Sequence, residues 1–230
     1  MAIQHIAFIM DGNRRFAKRL MIDAWKGHEM GEQKLQDVLE WIQDLGIHEA
    51  TFYAFSKQNF NRPKKEFDYL MKIFRSMAEK LLESPDFRNK GVHMRFIGEL
   101  TRFPADVQQL IRQLEDLTQE SADYRINMAF GYGGRDEIMD AVRAISREVE
   151  EGRLKSKDIS EATMREHLGI QRDPDIIIRT GGEHRTSNFL PWQSIYSEWF
   201  FVDKMWPEFT KSDLLKCIEE FKARDRRFGK

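Results

Sequence analysis

Six short apolar runs recur along the chain and predict its architecture. They cover residues 5–10, 49–55, 92–97, 125–130, 175–179 and 198–202. Each has the length of a strand, and the first is apolar at five of six positions, as expected of a strand covered on both faces of a parallel sheet. Helical apolar spacing fills most intervals: it runs from Leu35 to Leu45, ends at Gly46, and recurs over residues 67–81, 104–117, 135–149, 160–168 and 212–224.

This alternation predicts an α/β protein with a central, mainly parallel six-stranded sheet surrounded by helices. The 230 residues are long for one core but normal for one α/β domain, and the sequence contains no repeat or low-complexity tract. The charged segment 150–158 includes Gly152 and is typical of a loop rather than a domain linker. We therefore expect a single domain over residues 1–230.

Charge and cysteine content narrow the possible functions. The 37 basic and 38 acidic side chains give a net charge of −1, which argues against a nucleic-acid partner bound through a broad basic field. Cys217 is the only cysteine, so an internal disulfide and a cysteine-based zinc cluster are excluded, as suits a reducing cytosol. No apolar stretch approaches the roughly 20 residues that span a bilayer. We expect a soluble, cytoplasmic protein that is not barred from contact with a membrane surface.

The first strand runs into the sequence Asp11-Gly12-Asn13-Arg14-Arg15, which has the chemistry of a phosphate site. Gly12 allows a sharp turn that exposes backbone N–H groups, and Asn13 is predicted to cap a helix. Arg15 adds a guanidinium, and Asp11 lies at the carboxyl end of the strand, where α/β sheets bind ligands. An acid among phosphate-binding groups suggests a metal ion. The alternative is a surface turn with solvated arginines.

Three further polar clusters follow predicted strands, at residues 56–63, 131–135 and 179–189. A parallel sheet brings such ends to one edge, so the clusters are expected to converge. The first is also typical of a polar turn ended by Pro63, and the second of a tight glycine turn. In the third, Arg179 and Arg185 flank two glycines and Ser187 adds a hydroxyl, which suits a diphosphate.

Glu198 opens the aromatic strand Glu198-Trp199-Phe200-Phe201, where an unpaired carboxylate would be costly. Either a metal ion or an ion pair with an arginine would remove that cost. The sequence has no histidine pair at zinc-ligand spacing and no P-loop signature. The remaining metal candidate is Mg²⁺, held by carboxylates and substrate phosphates.

Several long motifs, in order, resemble the cis-prenyltransferases, the undecaprenyl diphosphate synthase family. They are HIAFIMDGNRRFAK, the GH of residues 27–28, YAFSKQNFNRP, NMAFGYGGRDEI, DIIIRTGGEHRTSNFLPWQSIYSEWFF and RDRRFG. The resemblance covers nearly the whole chain. It implies a single domain that works as a homodimer and condenses isopentenyl diphosphate with an allylic diphosphate, such as farnesyl or geranylgeranyl diphosphate, with each new double bond cis and with Mg²⁺ as cofactor.

The resemblance also implies roles for individual residues. The allylic diphosphate would be bound by Gly12, Asn13, Arg15, His28 and Arg62, and Asp11 would act in catalysis and hold Mg²⁺. A second magnesium contact, Glu198, would come from the partner subunit. Asn59 is implied as catalytic, and Ser56 and Phe60 as neighbours of the reacting carbons. Isopentenyl diphosphate would be bound by Arg179, Arg185, Ser187, Arg227 and Gly229.

One departure from the family pattern concerns the allylic site. Ala24 stands where many bacterial members carry an arginine that contacts the diphosphate, and Lys26 is one candidate to replace it. Two other functions stay open at this point: an irregular, lavandulyl-type synthase of the same fold, and a non-catalytic scaffold subunit. The scaffold subunits typically lose the Asp-Gly-Asn loop, which this chain retains. Product length is not readable from the sequence.

Overall fold

The computed structural model describes residues 3–84, 91–121 and 123–224. In these residues the strands form one all-parallel sheet in the order β3-β4-β2-β1-β5-β6. The strands are β1 (His5–Ile9), β2 (Glu49–Ser56), β3 (Val92–Ile97), β4 (Tyr124–Tyr132), β5 (Ile176–Thr180) and β6 (Glu198–Val202). The predicted α/β class and all six strands are confirmed.

The first helix follows the predicted turn at Gly12, and the others lie in the intervals that the apolar spacing predicts. They are α1 (Asn13–Arg19), α2 (Ala24–Asp44), α3 (Lys64–Glu83), α4 (Ala105–Thr118), α5 (Gly134–Glu150), α6 (Glu161–Glu166) and α7 (Lys211–Ala223). Short 3₁₀ helices span Lys57–Asn61, Leu100–Arg102, Ser156–Asp158 and Trp206–Glu208. In the described part of the chain, no helix is long and apolar enough to cross a bilayer.

Helix α2 begins eleven residues before the apolar pattern that predicts it. Its first turns pack through glycines rather than large side chains, because a Cβ at Gly27 would lie 2.2 Å from the carbonyl oxygen of Asn13. A Cβ at Gly31 would lie 2.6 Å from the side-chain oxygen of Asn13. This close approach holds α2 against α1 and fixes both helices beside the end of β1.

Strand β1 is buried along its whole length, as its continuous apolar run predicts. Successive side chains of a strand alternate between the faces of a sheet. Ile6 and Phe8 accordingly join the large core beneath α2, α3 and α4, whereas Ala7 and Ile9 join a smaller cluster on the other face. The central strand is thus fixed from both sides, and the loop that follows it is anchored to rigid structure.

The carboxyl ends of β1, β2, β4 and β5 meet at one edge of the sheet, so the predicted convergence of the polar clusters is confirmed for the segments that follow these strands. Glu198 is an exception because it opens β6. It pairs in register with Ile176, which pairs with Ile6. Glu198 therefore lies at least three residues, about 10 Å, from the edge where β1 ends.

Candidate active site

A cavity of 1080 Å³ opens at the carboxyl edge of the sheet. It brings together ten residues that the sequence predicts for the site, from separate segments of the chain. They are Asp11, Gly12, Asn13, Arg15, His28, Ser56, Asn59, Arg62, Arg179 and Ser187.

Asp11 and Arg179 form the centre of the site. The carboxylate of Asp11 accepts a hydrogen bond of 2.7 Å from the Nη2 of Arg179, and its second oxygen lies 3.3 Å from the Nη2 of Arg15. The other terminal nitrogen of Arg179 donates to the hydroxyl of Ser187 at 2.7 Å and to the carbonyl of Arg185. Arg179 is only 3% exposed. It is therefore fixed in place, with a charge that faces the cavity.

Two glycines allow these groups to approach each other. Gly12 has a φ of +109°, and a Cβ there would lie 2.8 Å from the Cβ of Met205. Gly181 has a φ of +88°, and a Cβ there would lie 2.6 Å from the guanidinium of Arg15. Both positions require the left-handed conformation and both lack room for a side chain.

The prediction that Asn13 caps a helix is wrong. Helix α1 begins at Asn13 itself, and Gly12 occupies the capping position with no side-chain hydrogen bond to the helix end. The side chain of Asn13 instead turns towards Gly31, and its Oδ1 is buried without a hydrogen-bond partner in the described structure. Asn13 therefore serves the packing of α1 against α2 and also lines the cavity.

The charges around Asp11 set its protonation state. Burial by itself would raise the pKa of this carboxyl, but the hydrogen bond from Arg179 and the charges of Arg179 and Arg15 outweigh it. The pKa of Asp11 is held below its usual value, so the group is a carboxylate at neutral pH. An ionised acid is what a metal ligand or a charge clamp at this position requires.

A second acidic residue, Glu66, organises the opposite wall of the cavity. Its Oε1 accepts a 2.9 Å hydrogen bond from the Nη1 of Arg62 and lies 3.7 Å from both the Nε of Arg14 and the Nε2 of His28. The side chain of Glu66 is 16% exposed. One carboxylate thus holds two guanidinium groups and an imidazole around the same space.

His28 is neutral in this arrangement. Burial, together with the charge of Arg62, lowers its pKa to about 4, although Glu66 opposes the shift. Its Nε2 is buried and has no hydrogen-bond partner among the described residues. A ligand that brings negative charge to this wall would supply the missing partner and favour the protonated ring.

The turn after β2 presents Ser56 and Asn59 to the cavity. The side-chain oxygen of Asn59 accepts a 2.9 Å hydrogen bond from the backbone N–H of Ser56, and the two form a reciprocal capping box. Nearby, the Tyr53 hydroxyl donates to the carbonyls of Tyr132 and Ser187. Burial raises the pKa of Tyr53 to about 12, so it stays protonated as a fixed donor. These bonds tie the β2 end to the loop after β5.

The loop after β5 holds two consecutive residues in a left-handed conformation without glycine. Ser187 has a φ of +51° and Asn188 a φ of +62°, which costs roughly 1 kcal/mol for each residue. The hydrogen bond from Arg179 holds Ser187, and the Oδ1 of Asn188 accepts one from the N–H of Arg135 at 2.9 Å. Such strain is found at functional sites, where surrounding contacts maintain it.

Three predicted site residues lie outside the cavity lining. Phe60 packs behind it, with its ring 5.0 Å from that of Phe55, which does line the cavity. The Arg185 side chain is exposed and pairs with Glu183, which also binds Arg15 at 3.2 Å, so Arg185 stands at the rim. Glu198 forms an ion pair of 2.6 Å with Arg224. The predicted Arg227 and Gly229 lie outside the described residues.

The ion pair of Glu198 corresponds to one of the two alternatives that its sequence context leaves open. Its side chain is 29% exposed, not fully buried as the aromatic strand suggests, because β6 is an edge strand. Within one chain it cannot contact the same ion as Asp11, since the two lie at different ends of the sheet.

Sequence reasoning misses several residues of the cavity wall. Arg14 and Lys18 line it from α1, and Glu66 supports it from α3. For Arg14 and Lys18 the signal is their i, i+4 spacing, which places them on one face of α1. Lys26, the candidate to replace the arginine missing at Ala24, is exposed and does not line the cavity.

Two smaller cavities continue from the first into the core. One of 120 Å³ shares His28, Phe55 and Leu70 with the main cavity and is lined mostly by apolar side chains. The other, of 320 Å³, shares Met77 and Met128 with the cavity of 120 Å³ and reaches the end of α3 at Ser84. Leu70 and Ser84 are separated by about 20 Å along α3. A polar mouth therefore leads into an apolar path between α2, α3 and the sheet.

The fold and this site define an α/β protein with a cluster of basic groups at the carboxyl edge of a parallel sheet, beside an apolar path. A family model described as "Putative undecaprenyl diphosphate synthase" matches residues 9–229. A tritrans,polycis-undecaprenyl-diphosphate synthase (geranylgeranyl-diphosphate specific) from Methanopyrus kandleri is 48% identical over 99% of this chain and 84% of its own length. An isoprenyl transferase from Thermus thermophilus is 42% identical over 99% of this chain and 89% of its own length.

A solved structure extends the comparison to the fold. Lavandulyl diphosphate synthase from Lavandula x intermedia, in complex with dimethylallyl diphosphate, superposes with a TM-score of 0.92 at 36% identity and covers 100% of this chain and 99% of that one. The chain belongs to the undecaprenyl diphosphate synthase family, and it is a cis-prenyltransferase. The resemblance inferred from the motifs is thus confirmed.

Proposed function

We propose that this protein condenses isopentenyl diphosphate with an allylic prenyl diphosphate, preferably geranylgeranyl diphosphate, to make a cis-polyprenyl diphosphate that serves as a lipid carrier precursor. One domain over residues 1–230 would carry the activity. The observation that supports it best is the fixed cluster of Asp11, Arg15, Arg179 and Ser187 at the mouth of an apolar path. The polar end suits a diphosphate and the apolar end a hydrocarbon chain.

The allylic diphosphate would lie between Arg15 on one wall and His28 and Arg62 on the other, over the backbone of Gly12 and Asn13. Its C–O bond breaks with the electron pair going to the diphosphate, while a new bond forms from the isopentenyl double bond to the allylic carbon. A proton then leaves the isopentenyl unit. Guanidinium groups that are already in place stabilise the charge on the leaving diphosphate without reorganising.

Isopentenyl diphosphate would bind across Arg179, Arg185 and Ser187, which the loop after β5 brings together. Asp11 lies between this group and the allylic site, because it contacts both Arg179 and Arg15. The two substrates would therefore lie side by side at one edge of the sheet. Ser56 and Asn59 stand near that junction, so we place the reacting carbons beside them.

The donor set at Asp11 suits Mg²⁺. No group of three or more acidic, histidine or cysteine side chains that could hold a metal occurs among the described residues, and Asp11 is an ionised oxygen ligand beside the diphosphate position. Mg²⁺ typically binds through one or two carboxylates together with substrate phosphates and water. We propose that Asp11 holds it, with Glu198 of a second copy as a further contact. The ion would neutralise charge on the leaving diphosphate.

We propose a homodimer that forms through β6. This strand is at the edge of the sheet, and in the described structure its outer side pairs with no strand. Ile195, just before it, is 71% exposed, and Trp199 and Phe201 stack on each other at 5.9 Å. Exposed apolar residues beside an open edge mark an interaction surface.

We place the enzyme in the cytosol. Cys217 is buried, which raises its pKa to about 11, and a single unpaired thiol suits a reducing compartment.

Arg14 is our candidate for the phosphate-binding group that Ala24 cannot supply. It lines the cavity and reaches the same carboxylate as Arg62 and His28, whereas Lys26 does not line the cavity. Arg14→Ala should raise the KM for the allylic diphosphate severalfold more than the KM for isopentenyl diphosphate. Lys26→Ala, the matched control, should change neither. A selective effect of Lys26→Ala would contradict this assignment.

The decisive experiment incubates the purified chain with Mg²⁺, labelled isopentenyl diphosphate and, separately, dimethylallyl, geranyl, farnesyl or geranylgeranyl diphosphate. Incorporation into extractable lipid, fastest from geranylgeranyl diphosphate, is expected. No incorporation by the chain alone would contradict the proposal and favour a scaffold subunit. The TM-score of 0.92 with the lavandulyl enzyme supports a second candidate, coupling of two dimethylallyl units. Product formation from dimethylallyl diphosphate alone would favour that candidate.

A further inference from the structure

The connection between α1 and α2 carries a cluster of exposed apolar side chains. Leu20 is 49% exposed, Met21 95% and Trp25 37%. We refer to residues 18–26 as the α1–α2 knuckle. Single exposed apolar residues are ordinary on protein surfaces, but three within six residues form a patch.

The backbone of the knuckle shows that Met21 is conformationally unfavourable. The N–H of Ile22 bonds to the carbonyl of Ala17 at 3.0 Å and that of Met21 to Lys18 at 3.1 Å, which is the Schellman pattern at a helix end. Met21 occupies its left-handed position with a φ of +55°, where glycine is favoured. The chain thus keeps a nearly fully exposed apolar side chain at a position where glycine would fold more easily, so the methionine is not explained by stability.

The charge around the knuckle differs from that of the protein as a whole. The knuckle contains three basic side chains, Lys18, Arg19 and Lys26, and one acidic side chain, Asp23, whereas the whole chain has a net charge of −1. Arg19 pairs with Glu208, but Lys18 and Lys26 form no ion pair with any described residue. The ring of Trp25 lies 5.7 Å from that of Tyr69. Apolar side chains, an aromatic pair and lysines together match the surface of an anionic bilayer.

The knuckle lies at the mouth of the active-site cavity, since Lys18 and Ala24 line that cavity. We propose that the α1–α2 knuckle docks on an anionic lipid surface, with Met21 and Leu20 entering the headgroup region and the lysines facing the lipid charges. The choice of a bilayer over a protein partner rests on this charge and, in part, on the proposed function, whose product is a lipid. Docking here would bring the cavity mouth to the membrane.

The test is cosedimentation of the full chain with vesicles of phosphatidylcholine alone or mixed with phosphatidylglycerol. Three variants probe the knuckle: Met21→Asp, Met21→Gly and Lys26→Glu. The matched control is Met139→Asp, because Met139 is 48% exposed on α5. We expect the wild type and the control to bind the anionic vesicles, and each Met21 variant to bind about tenfold more weakly. Lys26→Glu should weaken binding to anionic vesicles specifically.

Met21→Gly separates binding from folding, because it relieves the left-handed backbone and should melt no lower than the wild type. Wild-type affinity of both Met21 variants would overturn the proposal, as would equal binding to neutral and anionic vesicles or no binding to either. A change of oligomeric state in Met21→Asp would instead indicate a contact between copies of the chain and would also overturn it. Turnover measured with detergent-dispersed substrates is a separate readout, so an inactive wild type would contradict the proposed function and not the docking surface.

Discussion

Replacing Asp11 with asparagine removes one charge from the centre of the site while leaving its shape. The amide oxygen of Asp11→Asn can still accept a hydrogen bond from Arg179, but the ion pairs with Arg179 and Arg15 are removed. Breaking a fully buried pair costs 3–5 kcal/mol. Asp11 is 28% exposed and Arg179 keeps two other acceptors, so we expect Asp11→Asn to lower the free energy of unfolding by about 2 kcal/mol. This corresponds to a melting temperature about 4–8 °C lower.

The expected loss of activity is much larger than this loss of stability. Without the carboxylate the site loses its proposed metal ligand, and turnover should fall by at least about 100-fold. The assay is incorporation of labelled isopentenyl diphosphate, run beside thermal unfolding with pyrophosphate in the presence and absence of Mg²⁺. In the wild type Mg²⁺ should increase the stabilisation by pyrophosphate. In Asp11→Asn, pyrophosphate should stabilise the protein equally with and without the metal.

The matched control is Asp213→Asn on α7. Asp213 pairs with Lys204 at 2.7 Å and its side chain is 20% exposed, but it does not line the cavity. It should lower the melting temperature and leave turnover unchanged. Wild-type turnover in Asp11→Asn, or a response to Mg²⁺ that survives the substitution, would refute the role assigned to Asp11.

Three further predictions concern the walls of the cavity and the apolar path. Glu66→Gln leaves Arg14 and Arg62 without a counter-charge, so its melting temperature should be lower than that of the wild type. Added pyrophosphate should raise that melting temperature more than it does in the wild type, because the diphosphate no longer competes with a carboxylate. An equal increase in the two proteins, measured by thermal shift, would contradict this competition. His28 has a pKa of about 4, against 6.5 when unfolded, so only the unfolded chain binds its proton between those values. The free energy of unfolding should therefore fall by up to about 3 kcal/mol as the pH drops from 6.5 to 4. Chemical denaturation at several pH values should show a smaller fall for His28→Gln. Met77 lines two successive apolar cavities, so Met77→Trp should shorten the product, sized by chromatography, whereas Met139→Trp on the surface should not.

Sequence patterns predicted the sheet well because its signal is local. The run from Ile6 to Met10 is apolar without interruption, and so short a run, followed by a glycine turn, is typical of a strand covered on both faces. The polar clusters were located for the same reason, since each directly follows a strand and a parallel sheet brings those ends together. The α2 start was not predicted because Gly27 and Gly31, which pack it, carry no apolar signal.

The site was predicted less completely where its geometry depends on contacts between distant segments. Glu66 had no apparent role in the sequence, because its partners Arg14 and His28 lie on other helices and 38 or more positions away. The exposure of Glu198 was misjudged since burial of β6 depends on its position at the sheet edge. Phe60, which the resemblance places beside the reacting carbons, packs behind Phe55, and this contact is not readable from the sequence.

Carboxylates hold the basic groups of the site in place. Asp11 contacts Arg179 and Arg15, Glu183 contacts Arg15 and Arg185, and Glu66 contacts Arg62, Arg14 and His28. Six basic groups are thus positioned without substrate, which lowers the cost of organising them during the reaction. The same pairing weakens ground-state binding, because a diphosphate must compete with each carboxylate. At Asp11 a Mg²⁺ held by the carboxylate would relieve that competition, because it would supply positive charge that both the carboxylate and the diphosphate favour. Glu66 has no proposed metal ion beside it. A diphosphate that binds at the allylic site must therefore displace the ion pair of Glu66 with Arg62.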